Sequence, residues 1–183
     1  MVPYIAELNM FVALGTIALQ GVIVLILLNH FVYKSAYVSD LIARYALHAV
    51  FGLSFIAMLM SLFYSEVIGF LPCDLCWFGR IFMYPLVFIS GVGLYLRDVR
   101  AALYAIPLAI AGVVVSLYHY YIERGGASLY TCSSEAAGGV SCARSYLFEF
   151  GYVTFSMMSL TLFILFIVIL TLYYRRERAV REV

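Results

Sequence analysis

Residues 101–122 read AALYAIPLAIAGVVVSLYHYYI and contain no Lys, Arg, Asp or Glu. A helix needs about 20 apolar residues to cross the hydrocarbon core of a bilayer, so this run is long enough to span a membrane. Four further runs without these charged residues lie at 10–33, 45–65, 81–96 and 150–174. The strands of a membrane β-barrel would be about half as long. The sequence therefore predicts five membrane-spanning helices.

The composition indicates the same class of protein. Apolar residues make up 66% of the 183 residues and charged residues only 11%, which leaves too little polar surface to coat a soluble domain. The net charge is +1, and no basic surface beyond the carboxyl-terminal tail favours nucleic acid as a partner. The first run is too long for a signal-peptide core and nothing basic precedes it, so we expect it to be retained.

The basic residues predict how the helices are oriented. Eight of the 11 Lys and Arg residues fall in alternate connections or in the tail, namely Lys34, Arg44, Arg97, Arg100, Arg175, Arg176, Arg178 and Arg181. Cytoplasmic connections are enriched in Lys and Arg, so these segments should face the cytoplasm. We therefore expect a multi-pass protein of the cell (inner) membrane, with its amino terminus outside and its carboxyl terminus inside.

The four cysteines form two close pairs, Cys73/Cys76 and Cys132/Cys142. Each pair lies just outside an apolar run, in a connection that should be extracytoplasmic, where disulfides persist. This placement predicts two dithiol/disulfide couples that pass electrons between them. The loop 123–149 holds Cys132 and Cys142, and on its own it also fits a surface loop that is merely braced by a structural disulfide.

The pair Cys73/Cys76 belongs to the stretch PCDLCWFGR at 72–80, where a new helix should begin. Cys76 would lie in the first turn, where free backbone N–H groups and the helix dipole favour a thiolate. Arg80 follows four residues later on the same helical face and could approach the Cys76 sulfur. The same spacing occurs in zinc sites, and His119 could complete one, but an oxidising location disfavours thiolates that wait for a metal, so we expect none.

These motifs resemble one family. The pattern Cys-x-Leu-Cys-Trp-Phe-x-Arg-Ile-Phe-Met-Tyr-Pro-Leu, a later His before a loop cysteine pair, and Phe-Gly-Tyr-Val-Thr at 150–154 are similar to the disulfide bond formation protein B family, especially its short BdbC-like thiol-disulfide oxidoreductase branch. The resemblance covers roughly residues 45–174. It implies a four-helix membrane domain at 41–183, preceded by an additional transmembrane helix at 1–40.

The resemblance also implies a function. The protein would reoxidise a periplasmic thioredoxin-fold partner similar to disulfide bond formation protein A, and pass the electrons to a membrane quinone, either ubiquinone or menaquinone. The partner would attack Cys132, the released Cys142 would reduce the Cys73/Cys76 couple, and Cys76 would face the quinone. Arg80 would stabilise negative charge on a quinone oxygen.

His119 is the third quinone-binding candidate, in Tyr-His-Tyr-Tyr at 118–121. It could protonate the quinone or bind its oxygen, although a histidine among tyrosines is also typical of the aromatic belt at a membrane interface. Two other functions stay open at this point. One is a vitamin K epoxide reductase-like enzyme, in which the loop cysteines would precede the CxxC; the other is a non-enzymatic scaffold braced by two disulfides.

Overall fold

The computed structural model describes residues 3–33, 35–127 and 140–181. The described chain forms five long helices: α1 (Pro3–Leu28), α2 (Ala36–Leu62), α3 (Asp74–Leu96), α4 (Ala101–Glu123) and α5 (Phe155–Arg181). Single π-helical turns extend α1 over Asn29–Tyr33 and α2 over Phe63–Val67. All five helices are long and apolar enough to cross a membrane, which confirms the prediction of an all-helical membrane protein.

Several helices extend beyond the uncharged runs that predicted them. The second helix begins at Ala36 and the fifth continues to Arg181, so both include charged residues at one end. Asp40 of α2 forms an ion pair with Arg176 of α5 there. A helix does not stop where the hydrocarbon stops, because its backbone hydrogen bonds are equally satisfied in the polar interface.

Helices α2 to α5 form a closed four-helix bundle. Each packs against its two neighbours in the order α2, α3, α4, α5 and back to α2, and the α4–α5 contact is the most extensive. Phe163 and Phe166 of α5 and Leu86 of α3 are completely buried in the centre. Large apolar side chains such as Phe88 and Tyr95 lie exposed on the outside, as a surface that faces lipid requires.

Small residues on one face of α4 allow this close packing. Ala102, Ala105, Ala109, Gly112 and Ser116 recur at helical spacing and are buried. A Cβ atom added at Gly112 would lie 2.4 Å from the ring of Phe163. Small residues let membrane helices approach each other without a hydrophobic driving force. The same face continues to His119, which brings that side chain to the bundle interior.

The additional helix α1 packs on the outside of the bundle, mainly against α5. Gln20 of α1 donates a hydrogen bond to Thr161 of α5 and accepts one from Tyr152. Near its other end, Asn9 accepts a hydrogen bond from the hydroxyl of Tyr64 at 2.7 Å. Hydrogen bonds between polar side chains stabilise helix association in a membrane, so α1 is tied to the bundle at two levels.

Candidate redox site

The antiparallel bundle brings four helix ends together at one end of the molecule. These are the carboxyl ends of α2 and α4 and the amino ends of α3 and α5. Arg97 and Arg100 lie at the opposite end, in the connection between α3 and α4. Cys73, Cys76, His119 and Cys142 all lie at the first end, so the structure places these predicted site residues together.

Cys73 is the amino-terminal cap of α3. Its backbone is extended, with φ −75° and ψ 172°, and its side chain accepts a hydrogen bond from the backbone N–H of Cys76. Two sulfur atoms therefore face each other across the first turn, with Cys73 Sγ and Cys76 Sγ 2.9 Å apart. Both cysteines are free thiols in the structure. The prediction that a helix begins at the CxxC motif, with Cys76 in its first turn, is confirmed.

His119 lies against this pair. Its ring nitrogen Nε2 is 3.7 Å from Cys73 Sγ, and the ring also hydrogen-bonds to the backbone of Cys142. Only 6% of the residue is exposed. The side chain is therefore buried within this end of the bundle and does not lie among the exposed rings of an interfacial belt. It connects the Cys73/Cys76 pair, here called the inner couple, to the loop.

The contacts that favour a thiolate converge on Cys73, whereas the sequence predicts them at Cys76. A hydrogen bond from the Cys76 thiol is the largest of the effects that lower the pKa of Cys73 to about 4, with further contributions from His119 and from the backbone N–H of Cys76. Together they outweigh burial, which acts in the opposite direction. The cap position explains the difference, because the free N–H groups of the first turn point back toward the residue before it.

Cys142 contributes the loop side of the site. It is disulfide-bonded and only 2% exposed, and it packs in one buried cluster with Cys73, Leu75 and Ile122. Cys76, Val115 and Tyr118 border this cluster. Cys132, the other predicted loop cysteine, lies outside the described residues.

Aromatic contacts hold the described part of the loop over the bundle. The ring of Tyr146 stacks on Phe70 at 4.5 Å between centroids, and Phe70 in turn stacks on Tyr64 at 5.9 Å. Tyr64 lies edge-on to Phe155 at the start of α5. The residues that follow Cys142 are therefore packed against the connection that carries Cys73.

Arg80 lies one turn beyond Cys76, and its contacts are with α2 and with its own helix. Its Nε donates to the hydroxyl of Ser61 at 2.9 Å, and Nη2 donates to the Ser61 carbonyl at 3.2 Å. The guanidinium carbon lies 5.1 Å from the centre of the Trp77 ring. Ser61 thus fixes the position of a charged group near the cysteine pair, and the motif did not reveal this partner.

Glu123 is a further site residue, and the sequence motifs do not indicate it. Its side chain is only 4% exposed, and its Oε1 lies 3.9 Å from His119 Nε2. Its Oε2 accepts hydrogen bonds from Thr154 at 2.8 Å and from Ser156. The available signal was the spacing of four residues from His119, which places two helical side chains on the same face.

The same geometry bears on the metal alternative. The ligand atoms of Cys73, Cys76 and His119 lie within 4.8 Å of one another, a spacing that three ligands of one ion could also have. A structural zinc site needs four ligands in tetrahedral positions. A dithiol/disulfide couple likewise needs its two sulfur atoms side by side, as those of Cys73 and Cys76 are.

Comparison with known proteins identifies relatives. The family described as disulfide bond formation protein DsbB matches residues 43–173. A probable disulfide formation protein C 1 of Bacillus anthracis is 44% identical over 121 residues, which cover 66% of this chain and 86% of that protein. Disulfide bond formation protein C of Bacillus subtilis is 40% identical over 128 residues, covering 69% and 90%. No solved structure matches this chain. The family match begins within α2, so α1 lies outside it.

Proposed function

Since this chain belongs to the disulfide bond formation protein DsbB family, and is therefore a membrane oxidoreductase of disulfide bond formation, we propose that it reoxidises an extracytoplasmic thioredoxin-fold partner and passes the electrons to a membrane quinone. In this proposal the four cysteines exchange the electrons, and Arg80 and His119 are the residues that contact the quinone. The matching family and the relatives reported above are named for disulfide bond formation, which favours this function over a vitamin K epoxide reductase-like enzyme or a braced scaffold.

One observation carries the proposal. Cys73 and Cys142 are buried in the same cluster, and His119 contacts both, at the sulfur of Cys73 and the backbone of Cys142. Two cysteine couples that exchange electrons must bring their sulfur atoms into contact, because exchange proceeds through a mixed disulfide. A disulfide that only braces a loop has no need of a second dithiol beside it.

The exchange steps follow from this arrangement. A thiolate of the partner attacks Cys132, the Cys132–Cys142 bond breaks, and Cys142 leaves as a thiolate. Cys142 then attacks the sulfur of Cys73 in the oxidised inner couple; a Cys142–Cys73 bond forms and Cys76 leaves as a thiolate.

Resolution restores the loop disulfide. The partner's second thiol attacks its own mixed-disulfide sulfur, which completes the partner disulfide and releases Cys132. Cys132 attacks Cys142, and Cys73 leaves. Two electrons have passed from the partner to the inner couple, which ends as the dithiol that the structure contains.

The described residues around Cys76 fit a quinone. Trp77 and Phe78 follow it on α3 and are 53% and 46% exposed, so the helix presents aromatic rings to lipid beside the reactive pair. Two nitrogens of the Arg80 guanidinium donate hydrogen bonds to Ser61. Arg80 thereby supplies a positive charge in a low-dielectric environment, where the charge acts more strongly than in water. A quinone bound here would accept the two electrons and two protons of the dithiol.

Orientation is part of the same proposal. The site end of the bundle carries Arg80, Arg124 and Arg144, whereas the other end and the tail carry the larger group of basic residues. Lys and Arg are enriched on the cytoplasmic side, so the cysteines would face the extracytoplasmic space. Disulfides persist in that compartment.

The test measures quinone reduction by a reduced thioredoxin-fold protein, with the purified chain in detergent and absorbance as the signal. The native chain should turn over and Cys76→Ser should not, since the variant cannot form the inner disulfide. Ser65→Ala is the control and should keep full activity, because the Ser65 hydroxyl is exposed in the turn that extends the carboxyl end of α2, at the site end of the bundle. Helical circular dichroism should be unchanged in both variants.

Two outcomes would contradict the proposal. Absence of turnover by the native chain with ubiquinone and menaquinone analogues, over several dithiol partners, would favour the scaffold. Stoichiometric zinc in the purified protein, lost in Cys73→Ser, would favour a metal site at the triangle of Cys73, Cys76 and His119.

A further inference from the structure

The exchange steps make no use of the buried carboxylate of Glu123. Its side chain is 4% exposed, and a carboxylate is costly to bury unless it is paired and hydrogen-bonded. Thr154 and Ser156 at the start of α5 both donate to its Oε2. Its other oxygen, Oε1, has no such donor on α5 and lies 3.9 Å from Nε2 of His119.

We propose that Glu123 is a positioning residue that acts through His119 to keep Cys73 of the reduced inner couple in its thiolate form. This inference rests on the proposed function, because it assigns Glu123 a role in preparing that couple for oxidation. Thr154 and Ser156 hold the carboxylate, the carboxylate favours the charged imidazole, and the charged imidazole favours the thiolate.

The geometry supports each of these contacts. Nε2 of His119 lies 3.7 Å from Cys73 Sγ and 3.9 Å from Glu123 Oε1. The ring also hydrogen-bonds to the backbone of Cys142, so its orientation is fixed from the loop side. The chemical step is a proton transfer alone: the S–H bond of Cys73 breaks, an N–H bond forms at Nε2, and the sulfur keeps the electron pair.

The direction in which the thiolate population of Cys73 changes when Glu123 is removed distinguishes this role from a direct electrostatic effect of Glu123 on Cys73. Glu123 and a thiolate carry like charges, and a nearby like charge disfavours the ionised form of a thiol. If Glu123 acted directly on Cys73, its removal would increase the thiolate population. If it acts through His119, removal decreases that population, because an opposite charge is lost beside the imidazolium.

The groups that face His119 come from each neighbouring element. The start of α3 supplies the thiols of Cys73 and Cys76, and α4 supplies Glu123. The start of α5 supplies the hydroxyls of Thr154 and Ser156 through Glu123, and the loop supplies the backbone of Cys142. Among these described contacts, Glu123 supplies the carboxylate beside His119, in addition to the thiolate of Cys73 itself.

The experiment measures alkylation of Cys73 in the fully reduced chain. A small neutral alkylating reagent is applied between about pH 3 and pH 9, a range that spans the lowered and the ordinary thiol pKa. Peptide mass spectrometry measures the alkylation of Cys73 separately from that of the other cysteines. Neither a quinone nor a partner is present, so the result stands whether or not the proposed electron acceptor is correct.

Glu123→Gln should lower the Cys73 alkylation rate by about tenfold at pH values well below the native midpoint, equivalent to one pKa unit. The plateau rate at high pH should not change. His119→Gln should give the same loss, and the double variant no further loss, because both act through one contact. Glu123→Asp, which keeps the charge, should recover most of the rate, and Glu66→Gln, an exposed carboxylate, should behave as the native chain.

The opposite results would overturn the inference. Unchanged or faster alkylation in Glu123→Gln would show that the carboxylate does not act through His119. An equal loss at every pH would show a change of access to the thiol. Ser156→Ala keeps the carboxylate, so a midpoint shift in this variant as large as that of Glu123→Gln would show that the α5 contacts, and not the charge, are responsible.

Discussion

The imidazole of His119 and the thiol of Cys73, 46 residues apart in the chain, lie 3.7 Å from each other inside the end of the bundle. The thiol is the cap of α3 and the imidazole lies near the end of α4. Because the two helices are antiparallel neighbours, the amino end of one meets the carboxyl end of the other. The contact places the imidazole of His119, which can take up a proton, beside the Cys73 sulfur, which takes part in thiol–disulfide exchange.

The ionisation of Cys73 should depend on the thiol of Cys76. The hydrogen bond from Cys76 is the main cause of a Cys73 pKa near 4, so Cys76→Ala should raise that pKa toward the ordinary thiol range of about 8.5. Alkylation of Cys73 would then slow most between the two values. The pH profile of Cys73 alkylation, read by mass spectrometry, tests this.

Cys76→Ser is the matched control for that change, because a hydroxyl can still donate a hydrogen bond to the thiolate. Its midpoint should lie below that of Cys76→Ala. Equal midpoints in the native chain and Cys76→Ala would contradict the assigned cause.

Arg80 should matter for the quinone and not for the partner. Arg80→Ala removes the positive charge that Ser61 and Trp77 hold near the cysteine pair. We expect kcat/KM for quinone to fall by about tenfold to a hundredfold, the cost of losing a hydrogen bond to a charged group. Steady-state kinetics at varied quinone and at varied partner distinguish the two substrates.

Arg100→Ala is the control for Arg80, since Arg100 is exposed at the opposite end of the bundle. Ser61→Ala should give a smaller loss of the same kind, because the charge and its hydrogen bond to the backbone carbonyl of residue 61 remain and only the bond to the hydroxyl is lost. Unchanged quinone kinetics in Arg80→Ala would remove this residue from the proposed site.

The loop cysteines should have different roles in the exchange. In Cys142→Ser the thiol of Cys132 attacks the disulfide of an oxidised partner; that bond breaks and a Cys132–partner disulfide forms. Because no Cys142 thiol is left to displace the partner by re-forming the loop disulfide, this covalent complex should accumulate. Non-reducing electrophoresis followed by peptide mapping identifies the linked cysteines. A complex that accumulates only in Cys132→Ser would reverse the assignment of the two roles.

The packing of α4 against α5 should not tolerate a methyl group at Gly112. An added Cβ would lie 2.4 Å from the ring of Phe163, and that ring is completely buried and cannot move outward. Overpacking of this kind costs about 1–3 kcal/mol, so Gly112→Ala should lower the thermal unfolding midpoint in detergent.

Gly15→Ala is the comparison for Gly112, because a Cβ built at Gly15 of α1 has nothing within 4 Å apart from its chain neighbours and the nearby backbone of its own helix. This change should leave the midpoint unchanged or raise it slightly, as alanine is the better helix former. Equal effects of the two substitutions would show that the α4–α5 contact is looser than the structure indicates.

The sequence by itself determined the membrane class, the five helices and the start of α3 at the CxxC motif. These follow from properties of single segments: the length of an uncharged run, and the position of the CxxC motif between the end of one apolar run and the beginning of the next. Because successive helices alternate in direction, the sequence also placed both cysteine pairs at the same end of the bundle. None of these conclusions needs the rotation of one helix against another.

Only the tertiary structure decided which side chains meet at that end. Cys73 rather than Cys76 receives the thiolate-stabilising contacts, Ser61 anchors Arg80, and Glu123 faces His119. The physical reason is that a contact between helices depends on their rotation and closest approach. Here the rotation and the closest approach are set by the small-residue face of α4, which packs against Phe163. The hydrophobicity of a run cannot predict them, because it is nearly the same whichever way the helix is turned.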